Sequence, residues 1–190
     1  MPLAIAMANS TFDPTHAVTF DLASGRVHLD DAPSRVLVPA DALATLAAAA
    51  GEGPTLAFAA AMGEPVGRRV ARRLSGSPTS ATLAEVVDHL GGDLALLGLG
   101  SLGVERWGDA LVLTLDHGAI ASDAFVAAVL ASALSSASGK AVEVVALVKD
   151  ATRARFLITG KAGAEKARGW LKEGVSWGDV LVRLHAGGAA

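Results

Sequence analysis

Two stretches of this chain read as strand pairs closed by tight turns, and they restrict the fold more than any other feature. In "VERWGDALVLTL" (104–115) strand-forming residues flank a Gly108-Asp109 turn, and "AVEVVALVKDATRARFLI" (141–158) doubles back at Lys149–Arg153. Hairpins build antiparallel ladders, and a sheet with apolar side chains must be covered by other elements to bury them.

The sequence supplies helices to do so. Thr82 followed three residues later by Glu85 is a capping box, in which each side chain satisfies a backbone donor at the helix start. Behind it Leu83, Val86, Val87, Leu90, Leu94 and Leu97 recur at helical spacing. Further helices are expected at 40–50, 54–74, 121–138 and 162–173, and Ser176 with Asp179 opens a last short one. Pro65 is expected to bend the 54–74 helix, while Gly63 and Gly67 allow another helix to approach it closely. Upstream, "HAVTFDLASGRVHL" (16–29) alternates on both sides of an expected loop at Ala23–Arg26, setting Leu22 opposite Val27 and Phe20 opposite Leu29. "RVLV" (35–38) is expected as a short third strand, stopped by Pro39. The fold class expected is α/β of the α+β kind, a single domain over 16–186. Its antiparallel sheet has hairpins at 16–29, 104–115 and 141–158 covered by helices, between an extension at 1–15 and a frayed tail at 187–190.

Gly98-Leu99-Gly100-Ser101-Leu102-Gly103 spells G-x-G-x-x-G. A dinucleotide site needs a strand before the first glycine and a helix after the last, so that helix amides meet the pyrophosphate. Here a capped helix precedes and a hairpin follows, and no acidic residue ends a second strand about 20 positions on. These glycines are therefore expected to form a helix-to-strand turn. No Gly-Lys-Ser/Thr exists for a phosphate loop.

Other chemistries are excluded by composition. The chain has no Cys, which removes disulfides, thiolate metal sites and thiol nucleophiles, and no Tyr. Its net charge of −3 argues against general electrostatic binding to nucleic acid. No apolar run is long enough to span a bilayer, and "MPLAIAMANS" carries no positive charge ahead of its short apolar stretch, so a cytoplasmic protein is expected. The five histidines show no metal-ligand spacing, and no G-x-S-x-G elbow is present. Asp116-His117 is their one acid–base neighbour pair, placed where a strand ends.

The order of elements, with "MGEPVG" on a long helix and "LGLGSLG" running into a hairpin, a helix and a final hairpin, resembles the 4-vinyl reductase (hydrocarbon-binding) domain. That domain is grouped with TRAPP trafficking subunits and is similar to haem-based nitric-oxide sensors. The resemblance covers roughly residues 16–160. Zinc-bearing members read Glu-x2-Cys-x3-Gly-x3-Cys-x-Phe-x-hydrophobic in the last hairpin. This chain has Glu143, Ala146, Asp150, Ala154, Phe156 and Ile158 at that spacing. Glu143, Phe156 and Ile158 fit; the cysteines are alanine and Asp150 replaces the glycine. Zinc takes about four N, S or O ligands, so the family's metal site is lost and no metal or other cofactor is expected. Haem would need an axial histidine and a Tyr-x-Ser-x-Arg motif that a chain without Tyr cannot have. The resemblance implies a non-catalytic module that binds a small apolar ligand or a protein partner, as a homodimer. It also leaves open a TRAPP-like scaffold or regulator of a small GTPase, and an accessory role in tetrapyrrole metabolism.

Candidate lining residues for an apolar pocket are His89, beside the apolar stripe of its helix, with Trp107, Phe125 and Phe156. In "GRRVARRL", Val66, Val70 and Leu74 mark one helical face, and Arg68, Arg69, Arg72 and Arg73 the other. Those four guanidinium groups are either a solvated face or a docking patch for an acidic partner. Trp170 and Trp177 give the C-terminus an apolar stripe that either docks on its own domain or meets a partner.

Overall fold

A computed structural model of the chain describes residues 3–4, 12–15, 17–29, 35–74, 82–120 and 122–187. Expectations at His16, in the rest of the 1–15 extension, at the Leu83 side chain and in the tail at 188–190 lie outside the described residues. In chain order the elements are β1 (Leu3–Ala4), β2 (Val18–Asp21), β3 (Arg26–Leu29), α1 (Ala40–Ala50), α2 (Glu52–Leu74) and α3 (Leu83–Leu96). Then come β4 (Ser101–Trp107), β5 (Ala110–Asp116), α4 (Asp123–Ser138), β6 (Glu143–Lys149), β7 (Arg153–Thr159), α5 (Lys161–Lys172) and α6 (Trp177–Gly187).

Five strands form one antiparallel sheet in the order β1-β4-β5-β7-β6, and β2 with β3 forms a separate hairpin. Both long hairpins read from the sequence are therefore present and adjacent, with β5 paired to β7 from Leu111↔Ile158 to Asp116↔Arg153. Period-two alternation along these strands sends side chains to two cores. Leu113, Leu115, Ala154 and Phe156 face the larger core, under α2, α3 and α4. Val112, Val145 and Leu157 face the smaller one, under α5 and α6. Alternate residues of the same strands are buried on both faces, so the sheet is the middle of three layers.

The helix starts follow the sequence. Thr82 and Glu85 make the reciprocal capping bonds, and Ser176 accepts from the Asp179 amide. Helix α2 is continuous through Pro65, which removes one backbone donor without ending the helix. The expected close approach of another helix is made by α4. A Cβ added at Gly63 would collide with the Val129 carbonyl oxygen, and one at Gly67 with that of Ala133. Ser132 Oγ donates across this seam to the Ala60 carbonyl at 2.7 Å.

The glycine hexad is the turn it was expected to be. Leu97–Gly100 link α3 to β4, with Gly98 at φ 70° and Gly100 at φ 112°. A side chain at Gly100 would also meet the Asp116 carbonyl oxygen at 2.6 Å, so the position demands glycine twice over.

Four details differ from the sequence reading. The 16–29 hairpin is a separate two-stranded sheet and does not join the 104–115 and 141–158 hairpins. The β2–β3 ladder pairs Phe20 with Val27 and Val18 with Leu29, two residues from the expected register. Asp21 causes the shift, because its carboxylate accepts the amides of Ala23 and Ser24 (3.1 Å each) and closes the loop early. A two-residue slip leaves both apolar sets on one face, as expected. The stretch 35–38 is not a strand. Arg35 alone bridges to Val27, and Val36, Leu37 and Val38 run exposed into Pro39, the N-cap of α1, which has no N–H to extend a ladder. Within the expected N-terminal extension, Leu3 and Ala4 pair with Arg106 and Glu105, adding a short strand to the sheet edge.

Candidate functional site

The four residues singled out as pocket lining are not gathered in one place. Phe125 and Phe156 are fully buried in the larger core. Trp107 lies on the opposite face of the sheet, in T-shaped contact with Trp177 (centroids 5.1 Å apart), and its indole N–H donates to Glu105 at 3.0 Å. His89 of α3 is half-buried, in T-shaped contact with Phe12, 6.3 Å between centroids. The corrected reading separates them because alternate residues of β4 and β7 face different cores, which spacing along one strand cannot reveal.

The four arginines do not form one solvated face either. Arg69 is 2% exposed and Arg73 partly buried, and both reach Asp93 of α3, which has no exposed surface. Arg69 Nε lies 3.2 Å from one carboxylate oxygen and Arg73 Nη1 3.2 Å from the other. Burial pushes the Arg69 guanidinium below its ordinary pKa, and Asp93 beside it pulls the other way. Only Arg68, paired with Glu64, and Arg72 stay at the surface. Asp93 was the missed residue. It falls three after Leu90 and one before Leu94, so a carboxylate on the apolar stripe of α3 was the signal that a cation had to meet it.

Trp170 and Trp177 take the first of their two alternatives and pack on the chain's own sheet. Both border the smaller core, Trp170 beneath the Arg183 guanidinium (5.7 Å) and Trp177 beneath that of Arg155 (5.4 Å).

Asp116, the acid beside His117, is bound to Arg153. Both Asp116 oxygens are taken by Arg153, at 2.7 and 2.9 Å, and this hydrogen bonding holds the carboxyl below the usual aspartate value. The depressed value fixes the sign of a pH effect. The pair's stabilisation is present above the ordinary value near 4 and is lost as pH falls through the lower folded one. Urea midpoints of Asp116→Asn and wild type are therefore expected to differ at neutral pH and to converge as pH drops below about 4. A gap that stays constant down to the acid limb would show that the pairing contributes nothing.

In the last hairpin, Glu143 is bound to Arg168 at 2.8 Å. Among the described residues no three His, Asp or Glu side chains come together as a metal set.

What remains is a groove of about 470 Å³ between α1, α2 and the start of α4. Leu43 and Ala47 of α1, Leu56 of α2, Ile120 and Phe125 supply its walls. Helix α1 buries none of its own residues, so its alanine-rich inner side faces this space rather than a filled core. Two hydroxyl groups at the groove take part in the protein's own hydrogen bonds. Thr55 Oγ1 bonds the carbonyls of Ala47 (2.9 Å) and Gly51 (2.7 Å), and Ser122 caps α4 by accepting the Phe125 amide. A chemically quiet apolar lining is left, with Glu52 at the mouth. Phe125 was legible as a lining residue; Leu43, Ala47 and Leu56 were not, because "ADALATLAAAA" is so uniformly apolar that it marks no face. A second, smaller pocket of about 250 Å³ has Phe156 at its floor and His117, Asp123 and Lys149 at its rim. Asp123 and Lys149 pair there at 3.3 Å.

Among the described residues no helix is long and apolar enough to cross a membrane. No family model matches the sequence, and no curated protein matches it at a significant level.

Proposed function

We propose that this chain is a non-catalytic binding module whose α1–α2–α4 groove takes a small apolar ligand. The carrying observation is that open apolar lining, whose hydroxyl groups already bond to the protein's own backbone. Ligand sites are mostly apolar concavities of about 300–1,000 Å³, and this one lies in that range. With so few polar groups in the lining, affinity there comes mainly from apolar area removed from water, at about 25 cal/mol per Å². The same ligand class is what resemblance to the hydrocarbon-binding domain implies.

The test uses the neutral apolar dye N-phenyl-1-naphthylamine. Its fluorescence is expected to rise saturably with wild-type protein and to be lost with Ala47→Trp, which fills the groove from α1. The variant's melting temperature should hold, because Ala47 is only partly buried. No saturable signal in the wild type, or a signal indifferent to Ala47→Trp, would sink this reading.

A second copy of the chain is the proposed partner, and a separate observation favours it. Val36, Leu37 and Val38 before α1, Leu46 on α1 and Phe58 on α2 are all large, apolar and exposed. Covering such surface in a two-fold dimer is the commonest closed solution. Native mass spectrometry is expected to give twice the 19.1 kDa chain mass, with any ligand retained from purification read in the same spectrum. A single-chain mass across a tenfold dilution would refute the dimer and leave the groove reading untouched.

A further inference from the structure

On the opposite side of the sheet, α5 and α6 enclose a depression of about 460 Å³ whose chemistry is unlike the groove's. Its floor is apolar, from Ala110, Leu157 and Leu184, with the Trp170 ring on one wall. Lys166 of α5 and Arg183 of α6 also line it. Neither has a carboxylate within ion-pair distance among the described residues, and Arg183 has only its contact with the Trp170 ring. The one carboxylate in the lining, Asp109, is already beside His185, at 3.3 Å from Nδ1. The Thr159 hydroxyl, also in the lining, has no hydrogen-bond partner among the described residues. A chain of net charge −3 thus presents two uncompensated cations and a spare hydroxyl around an apolar floor.

We propose that this depression binds an amphipathic anion: a planar apolar body against Trp170 and the sheet, and a carboxylate or phosphate head held by Lys166, Arg183 and Thr159. Each part of the ligand answers a feature of the wall. Aromatic bodies gain area and stacking on Trp170 and on the Arg183 plane, which is oriented by that ring. A delocalised anion suits a guanidinium fork and an ammonium better than either suits water-exposed isolation. A neutral apolar molecule would leave both cations unanswered and belongs in the groove. The site is built from α5 and α6, beyond the span of the hydrocarbon-binding-domain resemblance, so it stands whether or not the groove reading does.

Calorimetric titration of the full chain with 1-naphthyl phosphate tests this, with 1-naphthoate, 1-naphthol and inorganic phosphate titrated alongside. Saturable binding of one or both naphthyl anions is expected, with 1-naphthol and inorganic phosphate at least about tenfold weaker. The tighter of the two anions identifies the head the site prefers. Lys166→Glu with Arg183→Glu should weaken binding by at least about tenfold, and Trp170→Phe, which keeps an apolar ring in the smaller core, should weaken it less. Both charged residues are exposed, so the fold is expected to survive, and added salt should weaken wild-type binding. Ala47→Trp should change nothing. No binding in the wild type, or binding unmoved by the double reversal, overturns the proposal. Loss of naphthyl phosphate binding in Ala47→Trp also overturns it, because the anion would then sit in the groove.

Discussion

Asp93→Ala is expected to cost this protein about 3–5 kcal/mol, the usual result of removing one partner from a buried ion pair. Asp93 has no exposed surface, and two guanidinium groups from α2 converge on it, Arg69 and Arg73, each at 3.2 Å. Without the carboxylate, the Arg69 Nε loses its acceptor at 2% exposure, in a place where burial already presses against the guanidinium charge. Total stabilities run at about 5–15 kcal/mol, so the variant should be near its unfolding threshold at body temperature. The double change Asp93→Ala with Arg69→Met is expected to recover much of the loss, since well-packed apolar groups often replace buried ion pairs without penalty. Urea unfolding of the wild type, both single variants and the double variant gives the coupling energy directly. If Asp93→Ala loses less than about 1 kcal/mol, or the double variant is no better than the single, the pair does not hold α2 to α3.

That ion pair also marks the limit of what could be read in advance. The two long hairpins, the turn ahead of the first and the capped helix start were legible because each is decided by residues within a few positions: Gly108-Asp109, Thr82 with Glu85, Gly98 and Gly100. The three-layer arrangement was only half legible. Strands that face two cores carry apolar residues on both sides, so "ALVLTL" does not say which helix covers which side. The arginine face failed for a related reason. A helical wheel places Arg69 about 60° and Arg73 about 20° from Val66, at the edge of the apolar stripe, but it cannot tell water from a second helix on that side. Here α3 is there, and it brings Asp93. The groove was least legible of all. It is defined by what α1 does not bury, and alanine side chains give too little contrast to show where a wall is left open.

The seam between α2 and α4 carries the second large effect, because there the two backbones are in contact. Gly67→Val is expected to destabilise by about 3 kcal/mol, the upper part of the usual range for overfilling a packed contact. The added Cβ would overlap the Ala133 carbonyl and stand 2.6 Å from the Ser136 Cβ, and neither lies at the end of a flexible side chain that could swing away. Relief requires the helices to separate, which would stretch the 2.7 Å bond from Ser132 to the Ala60 carbonyl one turn along the seam. Separation would also displace Phe125, which is on α4 and forms a wall of the groove, so N-phenyl-1-naphthylamine binding should weaken together with stability. Gly169→Ala on α5 is the matched control, since nothing lies within 4 Å of a Cβ there. In that helix interior alanine should be neutral or stabilise by up to about 1 kcal/mol. Opposite signs for the two glycines, measured by urea midpoint, would establish that Gly67 is required by contact between the backbones of α2 and α4. Equal and small effects would mean that α2 and α4 can move apart at little cost, and the rigid wall assigned to Phe125 would fall with them.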